Sequence, residues 1–207
     1  MKQLFSLLAG VFLLAGNAFA ADEAPDAMVK RVTDDVLTIV RNDKDIQSGN
    51  TQKAIELVQA KVLPNFNFTR MTALAVGKDW NKATADQKKK LTEEFKNLLV
   101  RTYSNALTAY KNQTIRYKPL SMQPGDTDVV VRTEIRQPGQ QAILLDYSVE
   151  KGDDGWRVYD VIVAGISLVT NYRDTFTQEV RANGIDVLIS AIAAKNKQVL
   201  AAQADKK

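Results

Sequence analysis

Apolar residues recur every three or four positions through the first half of the chain and every two positions through much of the second. Over 27–41, Met28, Val32, Val36, Ile39 and Val40 share one face, which predicts a helix. Residues 42–49 are a polar connection. A second helix is predicted over 51–63, with Ile55, Leu57, Val58 and Val62 on its apolar side. Pro64 has no N–H to continue the ladder and stops it. A third, short helix covers 66–76, with Gly77 suited to its C-terminal cap. Thr84 and Gln87 have the spacing of a capping box. They open the longest helix, predicted to run to about residue 111 with Leu91, Phe95, Leu98, Leu99, Tyr103, Ala106, Leu107 and Tyr110 in period.

The period then shortens. TIRYKPL, TDVVVRTEIRQ, QAILLDYSVEK and GWRVYDVIVAGISL read as four strands, separated by the turn signals PGDT, PGQ and GDDG. Ile115, Tyr117, Val129, Val131, Ile135, Ile143, Leu145, Tyr147 and Val149 fall on one face, and Arg116, Lys118, Arg132, Glu134 and Arg136 on the other. The first three strands are therefore dry on one side and wet on the other. The fourth is different: Val161 to Val169 holds no charge and one hydroxyl, Ser167, so both of its faces are expected to be sheltered. Two helices follow, over 170–183 and 185–203, with Asn183-Gly184 as the stop between them. The expected class is α+β, with helices packed over a curved four-stranded antiparallel sheet.

The first twenty residues stand outside this pattern. MKQLFSLLAGVFLLAGNAFA has a basic start, an apolar core and an A-x-A end at Ala18-Phe19-Ala20, the pattern of a cleaved signal peptide. Its apolar core is too short for a stable membrane anchor. Residues 1–20 are thus expected to be removed and 21–207 to form a single exported domain. Lys2 is the only charge in that segment, so 28 basic residues become 27 against 24 acidic ones, a net charge of +3. Export argues against nucleic acid as the partner of this mildly basic chain.

Composition removes several chemistries. There is no cysteine, so stability rests on packing without disulfides. There is no histidine either, which removes the commonest general base, the commonest transition-metal ligand and every Ser-His or Cys-His pair. Catalysis would fall to a Tyr/Asp pair, through Tyr147 or Asp160, in a small cone-shaped α+β enzyme acting on an apolar substrate. Adjacent strand residues point to opposite faces, so neither Asp146-Tyr147 nor Tyr159-Asp160 is a dyad by itself. Lys88-Lys89-Lys90, near Lys78 and Lys82, is the densest positive patch. It is either a solvated helix start or a surface for a partner or a headgroup. The quantity of inward apolar surface fits a filled core, as in an adaptor that binds only other proteins, or a lined cavity; periodicity does not separate the two.

The region from Gly155 to Ile189 changes the balance. It carries W-x-V-Y-D at Trp156 to Asp160, G-I-S-L-V-x-N-Y-R at Gly165 to Arg173, and then G-I-D-x-L-I. Together with NFTRMTALAVGKDWNKAT upstream, it resembles the MlaC family of periplasmic phospholipid carriers, also called toluene-tolerance auxiliary components. The likeness spans the exported chain. One position departs, since Ala164 stands where the family pattern has an acidic residue before the glycine. The resemblance implies a shuttle without enzymatic activity or cofactor. It would be a monomer carrying phospholipid through the periplasm, between an outer-membrane lipoprotein complex and an inner-membrane ABC transporter complex with its membrane-anchored substrate-binding subunit. It also implies an apolar cavity for the acyl chains. Under that reading the apolar pattern puts Met71, Leu74, Val76, Leu99, Tyr103, Leu107, Tyr117, Leu145, Tyr147, Val163, Ile166 and Tyr172 beside the tails. Arg173, Lys88 and Lys89 are expected at the headgroup or on a partner surface. Two acyl chains call for a pocket near or beyond the top of the usual range of roughly 300–1,000 Å³.

Overall fold

Short turns decide the sheet. In a computed structural model that describes residues 23–204, β1 (Thr114–Tyr117), β2 (Asp128–Arg136), β3 (Ile143–Gly152), β4 (Gly155–Val163) and β5 (Ile166–Ser167) form one antiparallel meander in the order β1-β2-β3-β4-β5. The expected signal segment, 1–20, lies outside the described residues. The inner-face register is the one the alternation predicts: Val129 opposes Val149, Val131 opposes Tyr147, and Ile135 lies between Ile115 and Ile143.

The sheet has five strands rather than the expected four, and the correction falls on the uncharged run. Ala164 and Gly165 take positive φ, 49° and 85°, and Val163 pairs directly with Ile166. Two central residues at positive φ are the requirement of a type I′ hairpin turn, which folds the chain back after Val163. A second irregularity precedes it. Val149 opposes Val158 but Ser148 opposes Asp160, so β4 bulges at Tyr159 and its alternation changes phase. Trp156 and Val158 are buried on one side of the bulge. Val161 and Val163 follow on the other, half-buried. The shelter expected on both faces ends there, because Ala164 and Gly165 are exposed and Ile166 is 61% exposed.

Eight α-helices are described: α1 (Pro25–Asn42), α2 (Lys44–Gln47), α3 (Thr51–Leu57), α4 (Phe68–Val76), α5 (Ala85–Tyr103), α6 (Asn105–Thr108), α7 (Arg173–Asn183) and α8 (Ile185–Ala204). Their starts follow local chemistry. Pro25 begins α1, where a missing N–H costs nothing. The Asp43 carboxylate accepts the Asp45 and Ile46 N–H groups at 2.9 and 3.1 Å, and so makes a short helix of the expected polar connection. At α5 the capping box is complete, with Gln87 N–H on Thr84 Oγ1 at 3.2 Å and Thr84 N–H on Gln87 Oε1 at 3.0 Å.

Two helices depart from their expected courses. α3 gives way to a π-helical turn, Val58–Val62, and then a 3-10 turn, Leu63–Asn65, ahead of Phe66. The helix expected to be the longest, α5, stops at Tyr103 after 19 residues, one fewer than α8, and its expected last turn is the separate α6. Ser104 marks the break, where its Oγ donates to the Val100 carbonyl at 2.5 Å, a back-bond that bends helices.

The interior divides in three. α4, α5, α7 and α8 enclose Met71, Val76, Leu91, Phe95, Val169, Phe176, Leu188 and Ile192. α1 covers the inner sheet face through Met28 and Val29, against Val129, Val131, Val149 and Trp156. A smaller cluster joins Val36 and Val40 of α1 to Ile46 and Leu57, with Leu107 and Tyr110 packed on it. α4 is fastened to the sheet by Arg70. Its guanidinium pairs with Glu150 and with Asp128 at 2.7 Å, and lies 3.5 Å from the Tyr159 ring centre.

Candidate lipid-binding pocket

The α1 cover does not close on the sheet along its whole length. Toward the β2–β3 turn it stands away, and a pocket of about 440 Å³ remains. Its ceiling is Met28, Val32, Thr33 and Val36 from α1; its floor is Ile115, Ile135, Ile143, Leu145 and Tyr147 from the sheet; Val62, Phe66, Ala106 and Leu107 close one side. No charged side chain is among the residues lining it. This follows from the strand alternation, which sends every arginine of β1 and β2 to the other face.

The polar groups gather at one end. Gln113, Gln137, Gln140 and Gln141 line the pocket beside Tyr110. The Gln113 amide donates to Gln137 Oε1 at 3.1 Å, and the Tyr110 hydroxyl donates to the Gln113 carbonyl at 2.8 Å. Arg41 donates to that hydroxyl through Nε and Nη2, at 2.9 and 2.7 Å. A neutral rim backed by one guanidinium thus frames an apolar hole.

Burial pushes the Tyr147 phenol up to about 12, against the opposing effect of a hydrogen bond with Thr33, so it stays protonated at neutral pH. Burial also raises Asp160, opposed by hydrogen bonds from Ser167 and from the Val161 and Val169 backbone. Asp160 is therefore tied to the β4–β5 turn, while Tyr147 faces α1. The two do not meet, and the pocket contains no acid–base pair.

A second apolar pocket, about 220 Å³, lies behind the first. It is lined by Val58, Val62 and Leu63 from the irregular end of α3, by Met71, and by Leu99, Val100 and Tyr103 of α5. Phe66, Phe68, Ser104, Leu107, Val161 and Leu168 complete it.

The expected tail-contact residues scatter over these features. Leu107, Leu145 and Tyr147 line the first pocket. Met71, Leu99, Tyr103 and Leu107 line the second. Leu74, Val76 and Tyr172 sit in the packed helical cluster, where Tyr172 meets the Phe95 ring edge-on at 5.2 Å. Tyr117 packs beside the α1–sheet cluster with Lys30 5.4 Å from its ring centre. Val163 and Ile166 pair at the hairpin, away from both pockets.

Lys88 and Lys89 line an open groove with Trp80, Phe68, Lys96 and Arg157. Arg173 donates from Nε to the Leu74 carbonyl at 2.9 Å, a cation on the last turn of α4. Gly77 beside it has φ +67°, a backbone conformation that favours glycine, while the Arg173 stem lies at ordinary contact distance, 3.8 Å, from where a Cβ would stand. The inner face of α1 was legible as an apolar stripe, but nothing in the pattern marked it as a pocket wall. The glutamine rim carried no periodic signal at all.

A five-stranded meander with helices along it leaves an uncharged pocket between α1 and the sheet, with no acid–base pair in its lining. Comparison with known proteins makes this specific. The family model described as MlaC protein matches residues 30–194. The chain belongs to the MlaC family. It is 25% identical over 205 residues to the intermembrane phospholipid transport system binding protein MlaC of Haemophilus influenzae, covering 96% of this chain and 95% of that one. It is 26% identical over 187 residues to the toluene tolerance protein ttg2D of Pseudomonas putida, covering 90% and 85%. The structure of the phospholipid-binding protein from Ralstonia solanacearum in complex with a phospholipid superposes with a TM-score of 0.79 at 38% identity, covering 85% of this chain and 98% of that one. The family is one of binding and transport proteins, and the chain is not an enzyme.

Proposed function

We propose that the chain is a periplasmic phospholipid carrier and that the α1–sheet pocket receives acyl chain. One observation carries the reading: an uncharged 440 Å³ pocket lies between α1 and the sheet in a fold that matches a phospholipid-bound relative at a TM-score of 0.79. The driving force is sufficient. Each buried methylene contributes about 0.8 kcal/mol, so two chains of roughly thirty methylenes represent on the order of 20 kcal/mol. The bilayer offers the tails similar surroundings, which keeps loading and unloading reversible. Leu107, Leu145 and Tyr147 contact the tail in this reading, and the glutamine rim with Arg41 lies nearest the headgroup.

Residues 1–20 act as the export signal, and 21–207 work as a monomeric carrier. The donor and acceptor are an outer-membrane lipoprotein complex and an inner-membrane ABC transporter complex with its membrane-anchored substrate-binding subunit. Lys88 and Lys89, in their open groove, suit a docking surface. Among the described residues no helix is long and apolar enough to cross a membrane. Organic extraction of the purified chain followed by mass spectrometry tests the reading. It predicts near-stoichiometric phospholipid, and a blank extract that stays blank after incubation with vesicles would refute it.

A further inference from the structure

The first pocket is smaller than two acyl chains were expected to need. Its 440 Å³ lies in the lower half of the usual range of roughly 300–1,000 Å³ for ligand pockets. The second pocket shares three wall residues with it, Val62, Phe66 and Leu107. We propose that the second pocket is a separate acyl-chain site and that these three side chains are a partition between two branches of one binding site. The two tails of a single phospholipid then part around it, one in each branch. This rests on the phospholipid-binding reading above.

The chemistry of the second pocket selects an apolar occupant. Two hydroxyls stand among its lining residues, on Ser104 and Tyr103. Ser104 Oγ is committed to the Val100 carbonyl at 2.5 Å, and the Tyr103 phenol is engaged with Tyr172. Water needs two to four polar partners to occupy such a space, and these walls do not supply them. A hydrocarbon chain needs none.

The partition stands on the two helix irregularities. Val62 ends the π-helical turn, and Phe66 follows the 3-10 turn. Phe66 is held through its backbone: its N–H reaches the Leu63 carbonyl at 3.1 Å, and the next N–H, of Asn67, reaches the Val158 carbonyl at 2.8 Å. Its half-buried ring rests on Phe68 at 5.9 Å. Leu107 rides on the four-residue α6, beyond the break at Ser104. Regular helices at both places would fix these side chains. The irregular turns set them between the two pockets, half-buried. The same three side chains line both pockets, so tails on their two sides can share a glycerol.

Two variants fill one branch each. Leu168→Trp occupies the second pocket, and Val32→Trp the first. Each is loaded from vesicles of a diacyl phosphatidylglycerol, and separately with a single-chain lysophosphatidylglycerol, and bound lipid is counted by native mass spectrometry. Leu168→Trp should lose diacyl lipid by roughly tenfold or more relative to the parent while single-chain loading stays within about twofold. Val32→Trp should lose both. Diacyl loading unchanged in Leu168→Trp, or an equal loss of both lipids there, would overturn the proposal while leaving the carrier reading intact. A parent chain that takes up neither lipid would overturn both. Val58→Trp fills the same branch from the other wall and carries the same expectations, which keeps the test valid if Leu168→Trp folds poorly.

Discussion

The helical cluster and the α1–sheet side draw on similar apolar residues and end differently. In the cluster, Phe95 is fully buried and meets Tyr172 and Phe176 edge-on at 5.2 and 5.4 Å, so large rings fill the space between α5 and α7. Between α1 and the sheet the facing residues are Val32, Val36, Ile115, Ile135 and Leu145. These aliphatic side chains line a hole of about 440 Å³, which the Tyr147 hydrogen bond to Thr33 of α1 spans. In the proposed reading this difference separates stability from function: one half supplies the rigid body, the other the receptacle. Packing at interior density is a choice of side-chain size as much as of hydrophobicity.

The widest contrast should come from truncating one residue on each side. Phe95→Ala should cost about 3–5 kcal/mol, as for a fully enclosed ring. Leu107→Ala, half-buried on a pocket wall, should cost about 1 kcal/mol or less while changing lipid retention. Urea unfolding of lipid-free protein measures both. Equal losses would make the pocket side an ordinary core.

Next in size is the fastening between the halves. Arg70→Ala removes the pairings with Glu150 and Asp128 and the stacking on Tyr159, and should cost about 1–3 kcal/mol. Hydrogen exchange should show the loss at the start of α4 before it shows in α8. Uniform loss across the molecule would mean that the two halves unfold as one unit.

The β4–β5 turn offers a smaller gain. Ala164 sits at φ +49°, a conformation that costs an L-residue with a Cβ roughly 1 kcal/mol and that asparagine, aspartate and glycine accept more readily. Ala164→Asn should therefore raise stability by about 0.5–1 kcal/mol. A thermal melt that moves down instead would contradict the turn geometry.

The smallest effect is that of Asp160. Its folded pKa is raised, so its stabilising contribution is complete below the ordinary aspartate range near 3.9 and is lost as pH climbs through the raised value. Asp160→Asn should flatten that part of the stability–pH profile. A variant profile parallel to the parent's would show that the carboxyl is effectively solvated.

The inner face of β1 to β3 was readable residue by residue, because alternation fixes register once one face is buried. The end of α4 and the start of α5 were readable because Gly77, Thr84 and Gln87 act locally. The fifth strand was hidden because Ala164-Gly165 is not the Asn-Gly or Asp-Gly that announces a two-residue hairpin. The bulge at Tyr159 hid the alternation of β4 and made a kinked strand look buried on both faces. Nor did the period show the break at Ser104, since Leu107 and Tyr110 continue the helical spacing across it. The pocket itself was illegible. Val32 and Ile135 face inward whether or not anything fills the space between them, and the glutamines at the rim follow no period.

The central claim is that the space between α1 and the sheet holds acyl chain, and photolabelling tests it most directly. The protein would be loaded with a phospholipid carrying a diazirine midway along one tail, irradiated, and digested for peptide mapping. The account predicts adducts on peptides containing Val32, Leu145 or Tyr147, or on those around Leu107 and Leu168. Adducts confined to the outer face of the sheet or to α8, with none at these positions, would contradict it.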